Sequence, residues 1–196
     1  MGSGGFHPWT PPGGGIGVGY SVPFNPPFCF SEDTEMIILE NNKEHKRNAS
    51  KIKEGDLVLT FNGQDKIFSK VTESIKNKGI FKFYEIKLKN EKSNSKHISV
   101  TGNHTMIIFG KDQNDIKFKF AYELKVGDLL RTSDGLFEIN EINHVMKNDS
   151  YKIASEKGTV LANDVLVSTV YLRGNKQAKE CSKLIDSAKI PIEIKN

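Results

Sequence analysis

Cysteine, closely spaced histidine and long apolar runs are scarce in this 196-residue chain. The two cysteines, Cys29 and Cys181, are too few for a disulfide framework, and their spacing fits no set of zinc ligands. The five histidines form no close pair, so we predict no metal and no cofactor. No apolar run approaches the roughly 20 residues of a membrane helix, so we also predict no membrane span.

A concentration of positive charge is also missing. Charged residues make up 27% of the chain and leave a net charge of only +4, with the lysines scattered along the sequence. Scattered charge of mixed sign is typical of a solvated surface, whereas a nucleic-acid interface needs a basic patch. We predict no nucleic-acid partner, and we expect a monomer.

Proline is rare outside the N-terminal segment, because six of the seven prolines lie within residues 1–28, together with eight glycines. Such a segment cannot bury a core of its own and is typical of a flank or linker. Its first five residues, MGSGG, are typical of an expression tag. We predict a flank over 1–28, an ordered domain over 29–172 and a tail over 173–196, within a larger protein.

The chain after Cys29 contains short runs rich in β-branched and aromatic residues, which predict an all-β domain. The runs are EMIILE, DLVLTF, FYEIKLKN, HISVTG, TMIIFG and FKFAYEL, with turns predicted at NNKEHK, FNGQD and TSDG. In the tail, NKQAKECSKLIDSAKI has apolar residues at helical spacing, which predicts a short C-terminal helix that ends before Pro191. Cys181 lies on the apolar face of that helix and is predicted to be a packed, inert thiol.

One unit of the sequence occurs twice. ASKIKEGDLVLTFNG, residues 49–63, aligns without gaps to AYELKVGDLLRTSDG, residues 121–135, at a constant offset of 72. Each copy places a Gly-Asp turn before a buried strand and ends on a glycine that closes a hairpin. Two copies are too few for a solenoid, so they predict a duplicated β domain with an internal pseudo-two-fold axis.

Three further motifs lie in order along the β domain. They are Cys29 before the first strand, TGNH at Thr101–His104 between two strands, and VLANDVLVST at 160–169. Each motif alone has an ordinary structural explanation: a buried cysteine, a structural histidine beside a turn, and a hairpin that turns at Asn163-Asp164.

Taken together, CFSEDTEMI, TGNHTMI and LANDVLVST, with the repeated Gly-Asp unit, resemble the Hint superfamily, which comprises the hedgehog and intein autoprocessing domains. The resemblance covers residues 29 to about 172 and is nearest to bacterial intein-like and hedgehog C-terminal domains. It implies a Hint-type fold, a β horseshoe duplicated about a pseudo-two-fold axis.

The resemblance also implies a reaction. The Cys29 sulfur would attack the Phe28 carbonyl and turn the scissile Phe28–Cys29 amide into a thioester. His104 would supply a proton to the departing nitrogen, and the Thr101 hydroxyl or nearby backbone amides would stabilise the oxyanion. Asn103 belongs to the same motif. The extended, proline-rich flank predicts a scissile bond that is accessible at the edge of the domain.

The chain departs from these relatives at its end. Ser168 and Thr169 stand where inteins have His-Asn, and threonine has no carboxamide to cyclise, so C-terminal release is predicted to be lost. The corresponding stretch of hedgehog domains ends in Ser-Cys. Hedgehog domains also use an aspartate to activate a sterol, and Lys76 is aligned with that position, so sterol transfer is not expected.

Three functional hypotheses remain open. In the first, the domain cleaves its own N-terminal flank once, with water, an external thiol or an amine as acceptor. In the second, it splices with an unusual C-terminal step that involves Ser168 or Thr169. In the third, it is a catalytically dead Hint-fold domain that serves as an interaction module.

Overall fold

The computed structural model describes residues 28–110 and 115–170, and within them the backbone forms eleven β-strands and two single-turn 3-10 helices. The strands are β1 Glu35–Glu40, β2 Lys43–Asn48, β3 Leu57–Asn62, β4 Asp65–Lys89, β5 Ser95–Thr101, β6 Thr105–Phe109, β7 Ile116–Phe120, β8 Leu129–Thr132, β9 Gly135–Ser155, β10 Thr159–Ala162 and β11 Val165–Ser168; the 3-10 helices are Ala49–Lys51 and Ala121–Glu123. The predicted all-β fold is confirmed. The predicted C-terminal helix, Cys181 and almost all of the predicted flank lie outside the described residues.

The described strands join in one antiparallel sheet, with the order β11-β10-β1-β3-β4-β9-β8-β6-β7. β11 also pairs with β8, so the sheet curves back on itself, while β2 pairs with β1 and β5 with β4. The 25-residue β4 and the 21-residue β9 form the longest ribbon. This ribbon carries register shifts between Val71 and Glu73, between Asn77 and Ile80, and between Lys87 and Leu88.

The predicted turn NNKEHK is wrong in its last four residues. Only Asn41 and Asn42 form the turn. Their φ values of 51° and 57° are positive, as the type I′ turn of a two-residue hairpin requires. Lys43–Asn48 then forms β2, which pairs with β1 over its full length and is mostly exposed. A strand that buries neither face gives no alternating apolar pattern, and its charged side chains suit an unshielded sheet edge.

The repeated unit folds in the same way in both copies. Gly55 and Gly127 have φ of 93° and 95°, which glycine adopts without strain. In each copy the following aspartate accepts the backbone amide three residues earlier, at 2.8 Å for Asp56 and 2.9 Å for Asp128. Each copy then enters a hairpin, β3–β4 in the first and β8–β9 in the second, so the predicted duplication is confirmed at the level of individual hydrogen bonds.

The core is built from the inner faces of these strands, and its larger cluster includes Phe30, Met36, Val100, Met106 and Ile153. Phe30 is fully buried and lies between β5 and β9, so the segment at the start of the described chain passes through the interior. Among the described residues, none belongs to a helix with the length and apolarity that crossing a membrane would require.

Candidate active site

The segment that carries Cys29 is held between two strands. Phe30 forms single antiparallel bridges to Val100 of β5 and Tyr151 of β9. Its backbone exchanges two hydrogen bonds with Tyr151, at 2.8 and 3.0 Å. Residues that lie opposite one another in antiparallel pairs share a face, so this register places Cys29 opposite Thr101 on one side and opposite Lys152 on the other.

Cys29 and Thr101 are joined by two hydrogen bonds. The Cys29 amide donates to the Thr101 hydroxyl oxygen at 2.9 Å, and the Thr101 amide donates to the Cys29 carbonyl at 3.0 Å. The predicted accessibility of the Phe28–Cys29 bond is wrong, because residues Phe28 and Cys29 are only 6% and 0% exposed. The pairing of Phe30 with both strands draws the bond into the interior rather than leaving it at an edge.

His104 is fully buried in the turn between β5 and β6, and its ring packs edge-on against two aromatic neighbours of Cys29. Ring centroids lie 4.7 Å from Phe30 and 6.0 Å from Phe28. The Nε2 atom lies 2.9 Å from the Ser168 carbonyl oxygen, so Nε2 must carry the proton, and Nδ1 carries a lone pair in the neutral ring. Nδ1 has no hydrogen-bond partner of regular geometry among the described residues.

Burial lowers the pKa of His104 to about 4, and the backbone groups of Ser168 and Cys29 oppose this shift only in part. The imidazole is therefore neutral near pH 7. Asn103 occupies the same turn and is 9% exposed. Within the described residues, no hydrogen bond links its side chain to Cys29.

The Cys29 sulfur faces the β4–β9 ribbon. Asn77 Nδ2 lies 3.4 Å from the sulfur and 3.5 Å from the Ser150 hydroxyl oxygen. Burial raises the pKa of the Cys29 thiol to about 11, whereas hydrogen bonds from Ser150 and Asn77 and the charge of Lys152 lower it. The thiol is therefore protonated near neutral pH, and its polar neighbours offset only part of the cost of burying the anion.

The C-terminal residues of the described chain reach the same site through the backbone of Ser168. The Ser168 hydroxyl is paired with the backbone of Val170, and the Ser168 carbonyl faces His104. Thr169 is held elsewhere, because its hydroxyl lies 3.2 Å from the Ser155 amide and 3.3 Å from the Ser155 hydroxyl. The structure thus brings Cys29, Thr101, His104 and the Ser168 backbone together, and it turns the Thr169 hydroxyl toward Ser155.

The residue nearest the sulfur on β4 is not the one that the sequence alignment indicated. Lys76 pairs with Asp149 at 2.7 Å and is half exposed, whereas the next residue, Asn77, contacts the sulfur. Sequence reasoning missed Asn77, Ser150 and Lys152 altogether. No motif marks them, because each is an ordinary polar residue of a long ribbon and only the pairing of β4 with β9 places it beside Cys29. Among the described residues, no three His, Cys, Asp or Glu side chains converge as a metal site would require.

Comparison with known proteins finds relatives of this architecture by structure but not by sequence. No family model matches the chain, and no curated protein matches its sequence. Solved structures do: the gp41-1 intein is 21% identical, with a TM-score of 0.57 over 73% of this chain and 99% of that one. An intein from a hyperthermophile is 14% identical, with a TM-score of 0.62 over 72% of this chain and 99% of that one.

This chain has the Hint fold of the inteins. A bacterial intein-like domain from Clostridium thermocellum has the same fold, with 21% identity and a TM-score of 0.55 over 71% of this chain and 97% of that one. The similarity covers nearly the whole length of these Hint-fold proteins but only 71–73% of this chain. The hedgehog-like character of the C-terminal stretch stays a prediction.

Proposed function

We propose that this chain is a self-processing domain that breaks the peptide bond between Phe28 and Cys29 through a thioester on the Cys29 sulfur. The observation that carries the proposal is the hydrogen bond from the Cys29 amide to the Thr101 hydroxyl, made beside the buried ring of His104 in a chain with an intein fold. The three residues come from the sequence resemblance, and their proximity in the structure supports the proposal.

In the first step, a bond forms between the Cys29 sulfur and the Phe28 carbonyl carbon, and the carbon–nitrogen bond breaks. The thiol proton ends on the Cys29 nitrogen, so no external acid or base is consumed. Because His104 is neutral near pH 7 and its Nε2–H faces Ser168, the ring has no proton at Nδ1 to give at the start. We assign Nδ1 the role of a relay that takes the thiol proton and passes it to the departing nitrogen.

Thr101 positions the reacting amide. Its oxygen accepts the Cys29 N–H, which fixes the plane of the scissile bond, and it keeps its own hydroxyl proton for donation. The N–H of a trans peptide points away from its carbonyl oxygen, so the hydroxyl lies on the nitrogen side of the scissile bond and holds that nitrogen as the bond breaks.

The fate of the thioester follows from the C-terminal end. Ser168 and Thr169 have no carboxamide, so neither can form the cyclic imide that releases a downstream segment. The Thr169 hydroxyl is paired with Ser155, which leaves it poorly placed as an acyl acceptor. We therefore propose N-terminal cleavage by water, a thiol or an amine without efficient ligation of the flanks.

The test uses the full chain with a reporter domain on each flank, incubated with and without hydroxylamine or dithiothreitol, and analysed by mass spectrometry. We expect one fragment that ends at Phe28 and one that begins at Cys29 and keeps the tail, formed faster with either nucleophile. The Cys29→Ala variant should give neither fragment, and the Cys181→Ala variant should give both. Joined reporters as the main product would establish splicing instead, and an intact wild-type chain would favour an interaction module.

A further inference from the structure

The Cys29 sulfur contacts polar groups of the β4–β9 ribbon that neither the motifs nor the proposed proton relay uses. We propose that Lys152, with the side chains of Asn77 and Ser150, forms an electropositive cradle that stabilises the anionic form of the Cys29 sulfur. The inference rests on the proposed function, because the cradle serves the step in which the sulfur attacks the Phe28 carbonyl.

The pairing register carries this assignment. Phe30 bridges to Tyr151 in an antiparallel arrangement, so Cys29 and Lys152 are directly opposed, and Ser150 lies diagonally across. The ammonium group of Lys152 lies 5.5 Å from the ring centroid of Phe28, the residue on the other side of the scissile bond. A cation is therefore held beside the two residues that flank the proposed scissile bond.

The backbone is locally distorted where the cradle forms. The β4–β9 register shifts between Asn77 and Ile80, and Asp149 has a φ of 55°. The Asp149 carboxylate accepts the Gly79 amide at 3.2 Å, which holds this bulge together. Bulges commonly re-aim side chains next to active sites, and here the distortion leaves Asn77 Nδ2 at 3.4 Å from the sulfur.

Two ion pairs of the β4–β9 ribbon flank the cradle. Lys152 of β9 forms an ion pair with Glu73 of β4, and Lys76 of β4 forms one with Asp149. His104, which is neutral near pH 7, is the titratable group in the turn that pairs with Cys29. Lys152 is the cation whose charge lowers the pKa of the Cys29 thiol, and it acts together with the neutral donors Asn77 and Ser150.

The consequence is a charge requirement for cleavage. A thiolate is the nucleophilic form of cysteine, and a nearby lysine favours it. Each unit by which the thiol pKa rises removes about tenfold of the thiolate at any pH below that pKa. Losing the Lys152 charge should therefore slow cleavage at neutral pH, and raising the pH should restore it.

The test uses the full chain in a Cys181→Ala background, with two readouts. One is the cleavage rate against pH in hydroxylamine; the other is the pKa of Cys29 in the uncleaved chain, from the NMR shift of its β-carbon. We expect Lys152→Gln to raise the thiol pKa and to slow cleavage near pH 7 by about tenfold per unit of that shift. Lys152→Arg should keep both readouts close to wild type.

Matched variants separate charge from folding. The double change Lys152→Gln with Glu73→Gln removes the whole ion pair and should still raise the thiol pKa, by less than Lys152→Gln alone, because the single change also leaves the Glu73 carboxylate unpaired. The pair Lys87–Glu141 also joins β4 to β9, with 2.9 Å between its charged atoms, so Lys87→Gln with Glu141→Gln is the control and should change neither readout. Equal effects of the two double variants, or slowing by Lys152→Gln that is the same at every pH, would overturn the cradle. If no variant cleaves, the proposed function fails and the thiol pKa alone decides the inference.

Discussion

The turn that carries Thr101 and His104 has a counterpart 70 residues earlier, where Ser31 and Thr34 take the same backbone positions. The His104 amide donates to the Thr101 carbonyl at 3.0 Å, and the Thr34 amide donates to the Ser31 carbonyl at 3.1 Å. The side chains behave differently. Ser31 and Thr34 hydrogen-bond to each other at 3.0 Å, whereas the Thr101 hydroxyl accepts the Cys29 amide and the His104 ring faces the Ser168 carbonyl.

The correspondence extends to the nucleophile. Thr101 donates its amide to the Cys29 carbonyl, and Ser31 donates its amide to the Ser99 carbonyl at 3.3 Å, so Ser99 stands where Cys29 stands. Ser99 is buried, and its hydroxyl has no hydrogen-bond partner among the described residues. Duplication of the backbone therefore supplies two similar niches. The niche proposed to react has Cys29, Thr101 and His104, and the other has Ser99, Ser31 and Thr34 at the equivalent positions.

The largest expected effect comes from substituting the two equivalent turn residues, His104 and Thr34, in separate variants. His104→Gln should slow cleavage between Phe28 and Cys29 by about 10²–10⁴-fold, the usual range for a lost proton-transfer group. Thr34→Ala, the matched change in the other turn, should alter the rate little and lower the free energy of unfolding by about 1 kcal/mol through the lost hydroxyl pair. Quantitative mass spectrometry of the fragments gives the rates, and similar rates in the two variants would contradict the assignment.

The motifs found in the sequence account for the part of the site that depends on local structure. Thr101 and His104 lie three residues apart in one turn, and the repeated Gly-Asp unit sets the strands around them, so a pattern search can find these residues. Cys29 is found because it stands where the composition of the sequence changes, although the burial of its peptide bond differs from the prediction.

The remaining part of the site depends on pairing between distant strands. Asn77 and Ser150 meet because β4 and β9 pair across more than 70 residues, with a register shift beside them. A one-residue change in register would point one of the two side chains to the opposite face, so the sequence alone does not predict the contact. Lys76, which the alignment indicated, belongs to an exposed ion pair for the same reason.

The second prediction concerns the pH dependence of stability, because the niche proposed to react buries two titratable groups. The pKa of His104 is lowered from 6.5 to about 4. Its contribution to the free energy of unfolding is therefore complete above pH 6.5 and is lost as the pH falls through 4. The pKa of Cys29 is raised from 9.0 to about 11, so its contribution is complete below pH 9.0 and is lost as the pH rises through 11. Each loss amounts to about 3 kcal/mol.

Urea unfolding at several pH values measures this dependence, and stability should be greatest between pH 6.5 and 9.0. His104→Gln should flatten the acid side of the profile, and Cys29→Ser should flatten the alkaline side. An unchanged acid side in His104→Gln would show that another group is responsible.

A smaller and symmetric effect is expected at the two Gly-Asp turns. Asp56 accepts the Lys53 amide and pairs with Arg47 of β2 at 3.0 Å, and Asp128 accepts the Lys125 amide and pairs with Lys119 of β7 at 2.7 Å. Asp56→Asn and Asp128→Asn should each lower the free energy of unfolding by about 1–2 kcal/mol, because each loses a charged acceptor. Urea midpoints that differ greatly between the two variants would show that the halves are not energetically equivalent.

The smallest expected effect tests whether a nucleophile alone is enough to make the niche of Ser99, Ser31 and Thr34 react. Ser99→Cys places a thiol at the position equivalent to Cys29, with little change in volume. The niche still has Thr34 where the other has His104, so no group is placed to relay a proton to the amide nitrogen. Ser99 also lies within β5 and pairs with Glu85 of β4, so the bond before it is held in a regular sheet. We expect no fragment that begins at residue 99 after incubation with hydroxylamine, while cleavage before Cys29 continues at its wild-type rate. A new fragment beginning at the substituted residue would mean that the buried sheet position, rather than the histidine, activates the thiol in both halves.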